Sequence, residues 1–206
     1  MALRIYHEPH SRSVRVVWLM EELGEAYALE RVEYPPGDAF KAMGGAGTIP
    51  AIVDGDVVMG ESIAILQYLT GRRLQQSMAL GLTVGPNPDP AAYAEHLQFL
   101  HLGEASLMTP LGFMARTRRL SPESEDSFTA RHCAGMFKRS LQTIETQLAD
   151  GRPHLTGDAL TIADISVGYA LYFAVRRGFG SFMAARTAGY QERLASRPAF
   201  QRASKD

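Results

Sequence analysis

Cysteine is nearly absent from this chain. Cys133 is the only one in 206 residues, so no internal disulfide can form and the fold must rest on a packed core. An excess of charge is missing too: 21 basic residues stand against 22 acidic ones, a formal net charge of −1. Such a chain has no bulk electrostatic pull toward nucleic acid or an anionic membrane. The cluster Arg116, Arg118 and Arg119 reads as a solvated helix end favoured by the helix dipole. No stretch approaches the roughly 18 consecutive apolar residues of a membrane span. The segment from Met1 to His7 also lacks the apolar run of a signal peptide. These absences predict a reducing, cytoplasmic setting, with neither nucleic acid nor membrane as partner. A metal set is not expected either, because His96 and His101 are five apart and poorly placed for one helix face. Cys133, among Ala130, Ala134 and Phe137, reads as a packing residue.

What is present is an ordinary globular balance, 46% hydrophobic and 21% charged residues. Leu3 to His7 alternates apolar with polar and reads as a strand. Ser13 to Leu23 has helical spacing, with Gly24 as C-cap, and Tyr27 to Glu33 reads as a second strand. Pro50 to Val53 and Asp56 to Met59 are short strands, expected to join through a type I′ turn at Asp54-Gly55. A helix follows from Ser62, its expected N-cap. The order βαβ then ββα predicts a four-stranded mixed sheet with helices on its faces, the α/β thioredoxin-like arrangement, over residues 1–72.

Residues 73–89 read as a linker with a short helical turn near Leu74 to Leu80, and strand signals then stop. Residues 90–206 are expected to form an all-α domain. One helix runs from Ala91 to Arg119 with a kink at Pro110, and another covers 122–149 with Ser121 as N-cap and Pro122 in its first turn. The last two are Thr161 to Gly178 and a helix between Ser181 and Ser196. Thr161 and Asp164 have the spacing of a capping box, a structural device with no chemistry of its own.

Two short segments carry chemistry. Pro50 opens a strand, where proline donates no ladder hydrogen bond. A cis Ile49–Pro50 bond would resolve this by turning the Ile49 N–H and C=O outward to pair with an extended peptide. A trans proline on an edge strand is the alternative, and only about 5–6% of X–Pro bonds are cis. Eleven residues on, Glu61-Ser62 opens a helix. A helix N-terminus with a serine hydroxyl suits a carboxylate, and Glu61 suits an ammonium. An extended peptide with both groups on one end carbon fits the whole segment.

The run from Ile49-Pro50-Ala51-Ile52-Val53-Asp54-Gly55-Asp56 to Gly60-Glu61-Ser62-Ile63-Ala64-Ile65 resembles the N-terminal domain of the glutathione S-transferase family. The turn from His7 to Val16 resembles that family's first strand-to-helix turn in its serine-type members. Gly157 to Asp164 resembles a signature of its C-terminal domain, and Tyr93 to Leu111 resembles a bacterial and fungal branch. The resemblance implies a glutathione transferase fold, glutathione as co-substrate, a detoxifying reaction with small apolar electrophiles, and a homodimer.

By position, the resemblance assigns Ile49 and Pro50 to the cysteinyl part of glutathione and Glu61 and Ser62 to its γ-glutamyl end. Ser11 is the implied donor to the sulfur, with Ser13 as runner-up. Tyr6, inside the first strand, reads as core. The family's usual Asn-Pro is replaced by Gly44-Gly45-Ala46-Gly47-Thr48, and Thr48 stands where a longer Lys or Gln is common. Thr48, Lys41 and Arg12 are therefore the candidates for the glycyl end. Met108, Phe113 and Met114 are candidates for an electrophile pocket, and equally for helix core. A glutathione-dependent disulfide reductase or peroxidase and a non-enzymatic binding protein are the alternative readings.

Overall fold

The computed structural model describes residues 3–33, 35–42, 47–87 and 89–205. It divides into two compact units, one made of residues 1–83 and 196–206 and the other of residues 84–195.

The first unit is built on four strands in the order β2-β1-β3-β4. β1 (Arg4–His7) pairs in parallel with β2 (Ala28–Arg31) and antiparallel with β3 (Ala51–Asp54), which pairs antiparallel with β4 (Val57–Gly60). α1 (Ser13–Leu23) supplies the parallel crossover and ends at Gly24, left-handed at φ 67°. A short α2 (Asp38–Ala42) lies between β2 and β3, and α3 (Ser62–Arg72) and α4 (Leu74–Ala79) follow β4. The βαβ–ββα order read from periodicity is the observed one.

The hairpin is shifted by one residue from expectation. Asp54 pairs with Val57, so the two loop residues are Gly55 and Asp56. Gly55 has φ 62° and Asp56 is not among the positive-φ residues, the pattern of a type II′ turn. Glycine at the first central position selects that turn, because only there is the left-handed backbone required.

Period-2 alternation puts Leu3, Ile5 and His7 on the buried face of β1, while Tyr6 faces the other way and packs its ring 5.6 Å from that of Phe40. α1 is buried along most of its length and packs against β1 and α3. The chain ends with α10 (Pro198–Ala203), which returns to the first unit and packs on α1. Phe200 meets Trp18 edge-on at 4.8 Å, and Arg197 grips Glu22 at 2.7 and 2.9 Å. Arg202 likewise pairs with Glu21.

The second unit holds α5 (Pro90–His101), α6 (Thr109–Leu120), α7 (Phe128–Gln147), α8 (Ile162–Arg176) and α9 (Ala185–Ala195). Every residue of α8 from Ile162 to Leu171 is buried, as expected for a helix apolar on all sides. Its capping box is formed as the spacing predicts, between Thr161 and Asp164. Two other helix expectations are corrected. Pro122 to Ser124 is a separate 3₁₀ turn, and α7 starts only at Phe128, with the Ser127 hydroxyl accepting the Ala130 N–H. The irregularity expected at Pro110 lies upstream, in a wide π-helical segment Leu102–Met108, and Pro110 sits in the first turn of α6. Proline cannot donate to the carbonyl four residues back, which is that of Ser106. The Ser140 hydroxyl donates to it instead, at 3.2 Å.

Within that wide segment Gly103 lies directly against α8. A Cβ there would stand 2.3 Å from Ser166 Oγ and 2.6 and 2.8 Å from the Ser166 backbone, which cannot swing aside. Gly103→Ala is expected to destabilise the protein by about 2–3 kcal/mol through overpacking. Thermal unfolding checks this, and an unchanged midpoint would show that the helices separate at little cost.

Candidate functional site

The site residues of the first unit come from three places: the β1–α1 turn, the entry to β3, and the start of α3. The Ile49–Pro50 bond is cis. Pro50 is buried, Ile49 half-buried and Thr48 exposed. Residues 43–46, which include Gly44 and Gly45 of the glycine-rich loop, lie outside the described residues. Lys41, at the end of α2, is exposed and pairs with Asp38 at 3.2 Å.

At the start of α3 the structure differs from the expected cap. Glu61, not Ser62, precedes the helix, and its side chain makes no capping hydrogen bond to the first turn. Glu61 is exposed and has φ 64° and ψ 102°, a conformation few non-glycine residues adopt. Its carbonyl nevertheless accepts the first helical bond, from Ile65 N–H at 2.9 Å. Ser62 is the first helical residue and is buried. Its Oγ accepts a hydrogen bond from Arg15 Nη1 at 3.0 Å. Arg15, on α1, is itself completely buried, so a guanidinium lies beneath the open N-terminus of α3. A buried cation and uncapped N–H groups both favour a carboxylate there.

The β1–α1 turn carries a row of side chains. Ser11 is half-buried, and its Oγ lies 2.7 Å from Ser13 Oγ. Ser13 is fully buried, and its Oγ lies 2.8 Å from His7 Nδ1. Burial, helped by the charge of Arg31, lowers the pKa of His7 to about 4, so its ring is neutral at pH 7. Ser13 is not a side-chain cap of α1; its hydroxyl turns back toward β1. Arg12 precedes the helix and offers it no side-chain cap.

His7 and Arg15 were not singled out by sequence reasoning. Both carried a signal: each is a polar residue at a position whose periodicity points inward, His7 two and four residues after Ile5 and Leu3 on a strand, and Arg15 one helical turn before Trp18 and Leu19. A polar side chain in such a place must find partners on folding.

In the second unit Met108 and Met114 are buried, whereas Phe113 is 58% exposed. Among the described residues, no group of three or more His, Cys, Asp or Glu is placed to hold a metal ion. No helix among the described residues is long and apolar enough to cross a membrane. His96 is buried, its Nδ1 has no hydrogen-bond partner among the described residues, and burial lowers its pKa to about 4 against the nearby Asp164 carboxylate.

The His96 shift has a stability consequence. The unfolded chain takes up a proton below pH 6.5 that the folded chain refuses down to about pH 4, so stability is full above 6.5 and is lost as pH falls through that window. From pH 7 to pH 5 this loss is about 2 kcal/mol for His96 alone. His96→Leu is expected to lose correspondingly less stability than the parent between the two pH values in urea unfolding; equal losses would refute it.

Comparison with known proteins agrees with both units. Residues 11–72 match the glutathione S-transferase N-terminal domain and residues 91–202 the C-terminal domain. The chain is 30% identical to glutathione S-transferase 3 of Zea mays, over 97% of this chain and 92% of that protein. It is 26% identical to glutathione S-transferase 3 of Schizosaccharomyces pombe, over 84% and 74%. A glutathione transferase of Pseudomonas putida, solved with one glutathione disulfide per subunit, is 25% identical, with a TM-score of 0.80 and 99% and 91% of the two chains covered. A homologue from Lodderomyces elongisporus, solved with two glutathiones per subunit, shares the fold at a TM-score of 0.81 and 21% identity, over 99% and 98%. With both halves matched, in order and along nearly the whole chain, this protein belongs to the glutathione S-transferase family.

Proposed function

We propose that the protein is a glutathione transferase that joins the glutathione thiolate to small apolar electrophiles, acting in the cytoplasm as a homodimer. The observation that carries this reading is the start of α3, where an uncapped helix N-terminus, the Ser62 hydroxyl and the buried Arg15 guanidinium converge beside the exposed Glu61 carboxylate. A γ-glutamyl end has one carboxylate and one ammonium on the same carbon. The helix N-terminus with Ser62 receives the first, and Glu61 pairs with the second. Because Arg15 donates to Ser62 Oγ, the Ser62 proton is available to the carboxylate.

Ile49 binds the cysteinyl part through its backbone at the cis bond to Pro50, and Ser11 donates to the sulfur. A donor held on the thiolate favours it over the thiol and lowers the sulfur pKa, so more of the nucleophile is present at neutral pH. The thiolate then attacks the electrophilic carbon, forming a C–S bond as the leaving group departs or the electrons move onto the acceptor. Thr48, Lys41 and Arg12 are proposed for the glycyl end. Phe113, the exposed one of three apolar candidates, is proposed for the electrophile; burial accounts for Met108 and Met114 as packing residues.

Titration calorimetry with glutathione tests the reading. Binding is expected, and Glu61→Gln is expected to weaken it about tenfold by leaving the ammonium without a charged partner. Turnover of an aryl halide and of an organic hydroperoxide separates conjugation from peroxidase chemistry. No binding at millimolar glutathione would overturn the proposal.

A further inference from the structure

The row His7–Ser13–Ser11 has a direction, and that direction decides what Ser11 can do. Ser13 Oγ is 2.7 Å from Ser11 Oγ and 2.8 Å from His7 Nδ1. It accepts the Glu8 N–H at 3.3 Å and also lies 3.2 Å from the Glu8 carbonyl. Ser11 Oγ accepts the Ser13 N–H at 3.2 Å. Each hydroxyl has one proton to donate and two lone pairs with which to accept.

Consider first a His7 ring with its proton on Nε2. Its Nδ1 accepts the Ser13 proton, so Ser13 has none left for Ser11. The 2.7 Å contact must then be Ser11 donating inward. Ser11, with one lone pair taken by the Ser13 N–H, would turn the other toward a sulfur, and a thiolate would meet an acceptor.

With the proton on Nδ1 the count runs the other way. His7 donates to Ser13, and together with the Glu8 N–H this fills both Ser13 lone pairs. Ser11 can no longer donate to Ser13, so the short contact is Ser13 donating to Ser11. That proton and the Ser13 N–H occupy the Ser11 lone pairs. The Ser11 proton is left for a ligand. Were Ser13 to donate to the Glu8 carbonyl instead, the short contact would require a third acceptance at its oxygen, which a hydroxyl cannot supply.

We propose that His7 is held as the Nδ1–H tautomer and, through Ser13, aims the Ser11 proton at the sulfur of bound glutathione. His7 is thus a positioning residue, buried and acting through two hydroxyls. The inference rests on the proposed role of Ser11. Because the neutral ring has one proton to place, its tautomer is the only switch in the row.

Nitrogen NMR of the histidine rings in the glutathione-saturated protein reads the tautomer directly. A protonated His7 Nδ1 is expected; a ring protonated only on Nε2 would overturn the inference with no variant needed. The thiolate fraction of bound glutathione, followed by ultraviolet absorbance against pH, reads the consequence. His7→Leu and Ser13→Ala are each expected to lower that fraction about tenfold at neutral pH, with kcat falling and KM for glutathione little changed. His7→Asn, which places an amide N–H near the Nδ1 position, is expected to recover most of it. Lack of recovery would reduce His7 to packing. If Ser11→Ala leaves the thiolate fraction unchanged, the Ser11 reading fails and takes the inference with it. If Ser11→Ala lowers the fraction while His7→Leu and Ser13→Ala do not, the inference alone fails.

Discussion

Asp164→Ala is expected to cost about 4 kcal/mol of stability, a large share of the roughly 5–15 kcal/mol that holds a domain folded. The carboxylate is completely buried and accepts four hydrogen bonds. Oδ1 receives Leu155 N–H at 2.9 Å and Tyr190 O–H at 2.7 Å, and Oδ2 receives Thr161 N–H at 2.8 Å and Thr161 Oγ at 3.0 Å. One side chain therefore ties the loop at Leu155, the N-terminus of α8 and the middle of α9. Alanine leaves the Leu155 and Thr161 amides and the Tyr190 hydroxyl without an acceptor in a dry interior, and each such orphan costs about 1–3 kcal/mol. Burial, the larger cause of the raised Tyr190 pKa, persists without the Asp164 carboxylate, so that hydroxyl stays neutral and in need of an acceptor. Asp164→Asn keeps one accepting oxygen and is expected to lose about half as much. Urea unfolding measures both. A loss below about 1 kcal/mol for alanine would mean that water enters and replaces the carboxylate.

Ser11→Ala is expected to lower kcat with an aryl halide by about 10²-fold, the size of effect seen when one donor to a developing or stored anion is removed. Affinity for glutathione should change little, because Glu61 and Ser62, the residues proposed for the γ-glutamyl end, are untouched. The split follows from where the hydrogen bond acts: it stabilises the thiolate and contributes little to binding of the neutral thiol. Alanine also leaves the Ser13 N–H, which donates to Ser11 Oγ at 3.2 Å, without that partner, a cost in stability that thermal unfolding separates from the effect on rate. Steady-state kinetics across pH is the measurement. A rate that recovers at high pH, where the bound thiol ionises unaided, supports the assignment. Equal loss at every pH would move the donor elsewhere, and the fully buried Ser13 would be the wrong place to look.

The legible parts of this protein are those decided within one element or one turn. Alternation at Leu3 to His7, the helical spacing of Ser13 to Leu23 and the Thr161–Asp164 spacing each specify a local structure whose energetics are local as well. Turn and cap details were less legible. Glycine at the first loop position moved the hairpin by one residue. Ser62 lies one position inside its helix, and its hydroxyl accepts from Arg15, 47 residues away in sequence, where no local capping rule would look. The wide segment before Pro110 meets Ser140 and Ser166, neither of which lies near it in the chain.

By itself, then, the sequence determined the family, the order of the strands and helices, and which residues stand at the opening of α3 and in the first turn. The elements follow from periodicity, and the family and its site residues from the resemblance of motifs that stand in order along the chain. Only the tertiary structure decided that residues 196–206 fold with the first unit, that Arg15 lies beneath Ser62, and that His7 stands behind Ser11. The first two join elements far apart in sequence, and the third joins the end of β1 to the turn that follows it. The physical reason is that a buried side chain finds its partner in space, as Phe200 does on Trp18, Arg15 at Ser62 and His7 at Ser13, and its neighbours in the chain do not say where that partner is.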